Sequence, residues 1–307
     1  MKVLVTGGSG FIGSHVVDKL REKGIEVRVF DMVYPTFRKD VEYYQGSLLN
    51  FEQIRMAMNS IDYVFHLAAV ADVKGVFEEP LYSEEINVRG TINILEAARK
   101  CRIRRVIYGS SIWVYSDIEE QSADEDTPLH APSHLYTATK MASEYYCKAY
   151  ATLYNLPTTI LRYGIPYGPR ARDGAIIPIF VKKAISGEPL TIAGDGLQYR
   201  KFIYVEDLAE GNILALKEIA KNKIYNLDGN RKITIREVAK TIKKIIGDVK
   251  VEYIEGRAAD FQGKEVSTEK AKKELGWEPR TSFEQGIKNY IVWYKKFKEE
   301  QNNSTLI

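Results

Sequence analysis

Residues 3–14 read Val-Leu-Val-Thr-Gly-Gly-Ser-Gly-Phe-Ile-Gly-Ser, and few folds accept such a run. Residues 2–5 have the apolar, β-branched character of a short strand. Glycines follow at 7, 8, 10 and 13, and Ile12, Val16, Val17 and Leu20 then recur at helical spacing. A strand, a glycine turn and a helix start form the context in which a Gly-x-Gly-x-x-Gly pattern becomes a phosphate site. Gly7 and Gly8 permit the tight turn. Gly10 lets backbone approach a pyrophosphate, and Gly13 lets the helix lie close on the strand. The helix N-terminus offers the anion free N–H groups and partial positive charge. Lys23-Gly24 stops the helix, residues 26–30 read as a second strand, and Asp31 closes it. An acid at that point bonds the hydroxyls of an adenosine ribose and favours NAD over NADP.

The rest of the chain continues the pattern. Strands are expected at 41–45, 62–68, 105–108 and 157–162, with helices at 51–58, 83–99 and 132–153. Strands alternating with helices imply an α/β fold: a doubly wound parallel sheet of Rossmann type, with its ligand across the carboxyl ends of the strands. After Tyr163 the rhythm breaks at Gly164, Pro166, Gly168 and Pro169. A helix at 176–186 and a short strand at 190–192 follow, and 201–205 with the next helix reads as a return to the first domain. Later elements are shorter and mixed: helices at 238–246, 268–275 and 282–297 and a strand at 249–254. The expected organisation is an NAD-binding domain of 1–163 plus about 199–224 and a smaller α/β substrate-binding domain of 164–198 plus 225–298. A frayed tail at 299–307 completes it.

Composition narrows the function classes. A net charge of +3 over 307 residues, evenly spread, argues against nucleic acid. Cys101 and Cys147 stand far apart without metal-ligand spacing, which fits reduced thiols in a cytoplasmic protein and no metal site. The first strand starts at residue 2, leaving no room for a signal peptide, and no apolar run reaches the length of a membrane span.

The second anchor is Tyr136-Thr-Ala-Thr-Lys140. Residues four apart share a helix face, so the ammonium can sit beneath the phenol. A nearby positive charge favours the phenolate and lowers the phenol pKa from about 10, which makes a usable general base. Ser110 and Ser111 end the fifth strand, where a hydroxyl can bond the oxygen that the tyrosine deprotonates. Surface packing explains an isolated Tyr-x-x-x-Lys, and strand termination a serine pair. Here both fall where an α/β fold places them over the cofactor.

With these pieces the chain resembles the extended short-chain dehydrogenase/reductases, the nucleotide-sugar epimerase/dehydratase family, over residues 1–295. The motifs are Thr6-Gly-Gly-Ser-Gly-Phe-Ile-Gly13, His66-Leu-Ala-Ala69, Asn87-Val-Arg-Gly-Thr91, Ser110-Ser111 with Val114-Tyr115, and Tyr136 with Lys140. Further on stand Leu161-Arg-Tyr-Gly-Ile-Pro-Tyr-Gly-Pro169, Gly194-Asp-Gly196, Arg200-Lys-Phe-Ile-Tyr-Val205, and Arg257 with Asp260. The resemblance implies that NAD meets Gly7, Gly10, Phe11, Ile12 and Gly13 at the turn and Asp31 at the ribose. It further implies contacts from Ser47 and Leu48, from Leu67, Ala68 and Ala69, and from Asn87, Tyr136, Lys140 and Tyr163. Ser111, Tyr136 and Lys140 become the catalytic residues. Ser111 and Tyr136 touch the sugar, Arg200 and Arg257 bind the nucleotide diphosphate, and Asp260 orients Arg257 or bonds the nucleotide ribose.

Within the family the residues after the catalytic Ser/Thr discriminate between reactions. The 4,6-dehydratases carry Asp-Glu there and the UDP-glucuronate decarboxylases Ser-Glu, whereas this chain has Ile112-Trp113. Redox at a carbinol remains, which implies an NAD-dependent 4-epimerase of the UDP-glucose/UDP-galactose type. A 4-keto-sugar reductase and a non-catalytic NAD sensor are the alternatives. The chain departs from the family's Asn at Ile165, its Asp at Ser47 and its Gly at Ser116, and Trp113 is large for its place. The expected partner is a UDP-sugar. Excess apolar residues on the helices at 83–99 and 133–153 predict a homodimer through a four-helix bundle.

Overall fold

The computed structural model describes residues 1–255 and 264–304. The chain divides into a larger unit of Met1–Gly164, Leu208–Asp228 and Lys264–Glu278 and a smaller unit formed by the other described residues.

The larger unit is built on one seven-stranded sheet. From one edge its strands are Glu42–Gln45, Glu26–Asp31, Lys2–Thr6, Tyr63–His66, Arg105–Ser111, Thr158–Tyr163 and Lys223–Leu227, all parallel. Parallel strands covered on both faces read as continuous apolar runs, and Val3, Leu4, Val5, Val64 and Phe65 are fully buried. The strand order reverses between Lys2–Thr6 and Tyr63–His66, and the carboxyl ends there open the crevice in which such sheets bind ligands.

The helix expected at 83–99 is three pieces: Pro80–Glu84, a π-helical turn at Glu85–Arg89, and Gly90–Lys100. The helix expected at 132–153 is Leu135–Tyr154, closed by Asn155 in the left-handed conformation. Two expectations are corrected. Lys223–Leu227 is a seventh strand of the large sheet, so the boundary expected between 224 and 225 falls inside a strand. Tyr199–Tyr204 does not return to that sheet: it pairs with Ile165–Tyr167 and Lys232–Thr234 in the smaller unit.

The smaller unit holds that three-stranded sheet and a parallel pair, Leu190–Ala193 with Val251–Ile254. Its core joins Phe180, Ile192, Val238 and Ile242 to the aromatic cluster of Tyr167, Phe202 and Phe283. The last helix, Phe283–Ser304, runs past residue 299, where the sequence predicts fraying.

Candidate active site

The glycine turn closes on itself. Gly7, at φ +70°, donates its N–H to Phe30 O and accepts from Gly10 at 3.0 Å. A Cβ on Gly13 would stand 2.1 Å from Gly7 O, and one on Gly7 would stand 2.7 Å from Ala68 N. Only hydrogen fits at both places, so turn, helix and the 67–68 segment are in backbone contact. Gly10 starts the helix Phe11–Glu22 and no side chain caps it, so Phe11, Ile12 and Gly13 present first-turn N–H groups to an anion. Asp31 is tied to the same turn: Ser9 N donates to one carboxylate oxygen at 3.0 Å and Val33 N to the other at 3.2 Å. Each oxygen keeps a lone pair for a ribose hydroxyl. Arg38, downstream of Asp31 in the sequence, is held by both oxygens of Asp40 at 2.8 Å and by Asp18 at 3.2 Å, so its charge is already matched. This donor set fits a dinucleotide with a free 2′-hydroxyl.

The other expected cofactor residues occupy varied settings. Ser47 accepts from Leu49 N through its hydroxyl, and Leu48 is buried under Gly90. Leu67 and Ala68 donate their N–H groups to Thr6 Oγ1, and Ala69 is half-buried. Asn87 lies in the π turn and bonds Val70 through both amide atoms. Tyr163 is buried and donates its hydroxyl to Asn212 at 2.5 Å, and burial pushes its phenol well above the ordinary range.

Tyr136 and Lys140 lie on the first turns of Leu135–Tyr154, both buried. His134 caps this helix, its Nδ1 accepting from Tyr136 N at 3.1 Å. Lys140 Nζ donates to Gly109 O at 2.8 Å, which ties the helix to the strand that ends in Ser111. The same ammonium lies 5.0 Å from the Tyr108 ring centroid and 5.9 Å from that of Tyr136. Burial pulls Lys140 down to about 8, against the opposing pull of Glu144. Ser111 is buried, and its Oγ accepts from Trp113 N at 3.2 Å at the start of the 3-10 turn Ile112–Tyr115. The structure therefore brings Ser111, Tyr136 and Lys140 onto adjoining elements of the larger unit. Arg200 lies in the smaller unit, its Nη1 donating to Tyr199 O, and Arg257 and Asp260 lie outside the described residues.

Glu144 has no part in the sequence reading, Arg162 and Tyr115 stand there only within quoted motifs, and Ser110 only in the serine pair. Glu144, one turn beyond Lys140, forms a two-pronged pair with Arg162 (3.0 and 2.7 Å), both side chains 2% exposed. Glu144 also accepts from Ser110 at 2.6 Å, and Arg162 donates to the Tyr115 hydroxyl at 2.5 Å. The i, i+4 spacing from Lys140 was the one available signal for Glu144. Among the described residues no group of three or more His, Cys, Asp or Glu is arranged to hold a metal, and no helix is long and apolar enough to cross a membrane.

The glycine turn lies at the switch point of a doubly wound sheet, and Tyr136 and Lys140 stand one helical turn apart on the helix that packs against the strand ending in Ser111, the framework of an NAD-dependent enzyme. The chain belongs to the NAD dependent epimerase/dehydratase family, whose pattern matches residues 3–228, and NAD is its cofactor. It is 34% identical to the putative UDP-glucose 4-epimerase of Methanocaldococcus jannaschii, over 95% of this chain and 98% of that one. It is 33% identical to the UDP-N-acetyl-α-D-glucosaminuronate decarboxylase of Bacillus cytotoxicus, over 97% and 99%. The crystal structure of the Thermotoga maritima UDP-glucose 4-epimerase with UDP-glucose superposes with a TM-score of 0.91 at 32% identity, covering 97% of this chain and 99% of that chain. Epimerases and decarboxylases thus stand at similar distance, and the residues beside Ser111 bear on the choice.

Proposed function

We propose that the protein is a UDP-sugar 4-epimerase of the UDP-glucose/UDP-galactose type, a cytoplasmic homodimer that keeps its NAD through the cycle. The observation that carries this reading is the turn after Ser111. Ile112 and Trp113 occupy it, so Ser111, Tyr136 and Lys140 are not joined there by a carboxylate that could eliminate water. Gly7, Gly10, Phe11, Ile12 and Gly13 would hold the pyrophosphate, Asp31 the adenosine ribose, and Lys140 the nicotinamide ribose. Bound there, NAD supplies a hydride acceptor for oxidation at C4 and the donor for the return.

The chain's own groups handle the proton. Tyr136 Oη takes it from the C4 hydroxyl, and Ser111 Oγ bonds the same oxygen. Lys140, charged below about 8, favours the phenolate. When the ketone is reduced on its other face, Tyr136 gives the proton back. The sequence resemblance assigns the diphosphate to Arg200 and Arg257, and to Asp260 either the orientation of Arg257 or a bond to the nucleotide ribose. Exposed Tyr145, Tyr146, Leu153 and Tyr154 on Leu135–Tyr154 support a second copy packing on that helix.

The test is a panel of UDP-, dTDP-, GDP- and CDP-sugars with products resolved by NMR. Inversion at C4 of a UDP-sugar, without net change in nicotinamide absorbance, is expected. Stoichiometric oxidation of the nicotinamide would instead make the protein a 4-keto-sugar reductase, and stoichiometric reduction a dehydrogenase.

A further inference from the structure

Thr6 and His66 end the two strands that flank the reversal in strand order, and they are register partners. Thr6 Oγ1 accepts from Ala68 N at 3.3 Å and, shared with Thr6 O, from Leu67 N at 3.2 Å, so both its lone pairs face N–H donors. Its own proton is therefore the one shared with His66 Nδ1, at 2.8 Å. With Nδ1 accepting, the proton of a neutral imidazole sits on Nε2, an assignment made from the bonding network. Nε2 then donates to Thr91 Oγ1 at 3.0 Å, and Thr91 donates to Asn87 O at 2.6 Å. Ser143 shares its hydroxyl proton between the same carbonyl and Thr139 O, each at 2.9 Å, and the Asn87 amide donates to Thr139 Oγ1 at 3.1 Å. Thr139 and Ser143 flank Lys140 on the helix that also carries Tyr136. From Thr6 to Asn87 every bond points one way, and the chain ends in the π turn, a distortion common at functional sites.

His66 is 1% exposed, packed against the Tyr108 ring at 5.7 Å between centroids. The charged group facing it is Lys140, and burial with that charge pulls its pKa down to about 3. A protonated ring would lose its acceptor toward Thr6 and add a second positive charge beside Lys140.

We propose that His66 is a positioning residue: as the Nε2–H tautomer it joins the glycine turn of the cofactor site to the helix that carries Tyr136 and Lys140. This rests on reading that turn as the NAD site and that helix as catalytic. Nitrogen-15 NMR of the NAD-free protein should show a proton on Nε2 and a bare Nδ1, unchanged down to about pH 5, where a free imidazole is mostly charged. A proton on Nδ1, or an imidazolium at that pH, overturns the proposal.

Two substitutions separate the ends of the chain. His66→Asn places an amide oxygen where Nδ1 stood and keeps the Thr6 end. His66→Gln places an amide nitrogen near Nε2 and keeps the Thr91 end. NAD affinity measured by calorimetry should stay within about threefold for Asn and fall about tenfold for Gln, while turnover should fall about tenfold for Asn, the scale of one buried hydrogen bond. Variants that lose only thermal stability, or that lose affinity and turnover equally, contradict it. Thr91→Val removes the acceptor of His66 Nε2 and keeps the bond to Thr6, so if His66→Asn misfolds it takes that variant's place and should show the same pattern, affinity kept and turnover about tenfold lower. The NMR result requires neither NAD nor a substrate, so it decides the tautomer even if the 4-epimerase reading fails. A wild-type protein without NAD affinity would refute the cofactor-site reading separately.

Discussion

Replacing Lys140 by Met should stabilise the NAD-free protein at neutral pH while weakening NAD binding. Lys140 is 5% exposed, and burial brings its pKa from 10.5 to about 8. Holding the charged form in that environment costs about 3 kcal/mol. Met fills a similar volume with no charge, but it abandons the bond to Gly109 O, whose buried carbonyl loses about 1–2 kcal/mol. The expected net gain near pH 7 is about 1–2 kcal/mol. The pH dependence follows from the depressed value. Between about 8 and 10.5 the unfolded chain binds the proton that the folded protein has released, so wild-type stability rises with pH across that window. Below it the penalty is complete, and above it the penalty has gone. The advantage of Lys140→Met should therefore be largest below about pH 8 and vanish, or reverse, above about 10.5. Urea midpoints for both proteins across this range, with NAD affinities by calorimetry, check it. A Met variant that is less stable than wild type by the same margin at every pH would show that the ammonium is not a buried cost, and the reasoning would fail.

Other expectations follow from the same geometry. Glu144→Gln leaves the buried Arg162 guanidinium without its counter-charge and should destabilise the protein by about 3–5 kcal/mol, read as a lower thermal midpoint. NAD should bind more tightly than NADP, because Asp31 repels a 2′-phosphate and Arg38 is held by Asp18 and Asp40; equal affinities by calorimetry would oppose this. Light scattering at micromolar concentration should give a dimer, and Tyr145→Glu with Leu153→Glu should give a monomer. A wild-type monomer would remove the proposed helix pairing.

What could be read from the sequence was local. The run from Val3 to Gly13 carries strand, turn and helix in consecutive residues, so its structure needs no distant partner. Tyr136 and Lys140 are legible because four residues on a helix set their proximity. The strand Lys223–Leu227 is not: it is short, carries Lys223 and Asn226, and pairs with Thr158–Tyr163 across the long segment that builds the smaller unit. The same segment made Tyr199–Tyr204 resemble a return to the large sheet. The polar links between Thr6, His66 and Thr91 join residues 60 and 25 positions apart, which no spacing rule reports. His66 and Asn87 stood in quoted motifs, yet their directional bonding emerges only when the strands are side by side.

In the proposed cycle Tyr136 moves the proton while the sugar's C4 is inverted. Tyr136→Phe keeps the ring and the helix cap from His134 and removes only the hydroxyl. On the UDP-sugar that the wild type epimerises, turnover should fall by at least about 100-fold, with folding and NAD affinity nearly unchanged. Near-normal turnover in that variant would contradict the account.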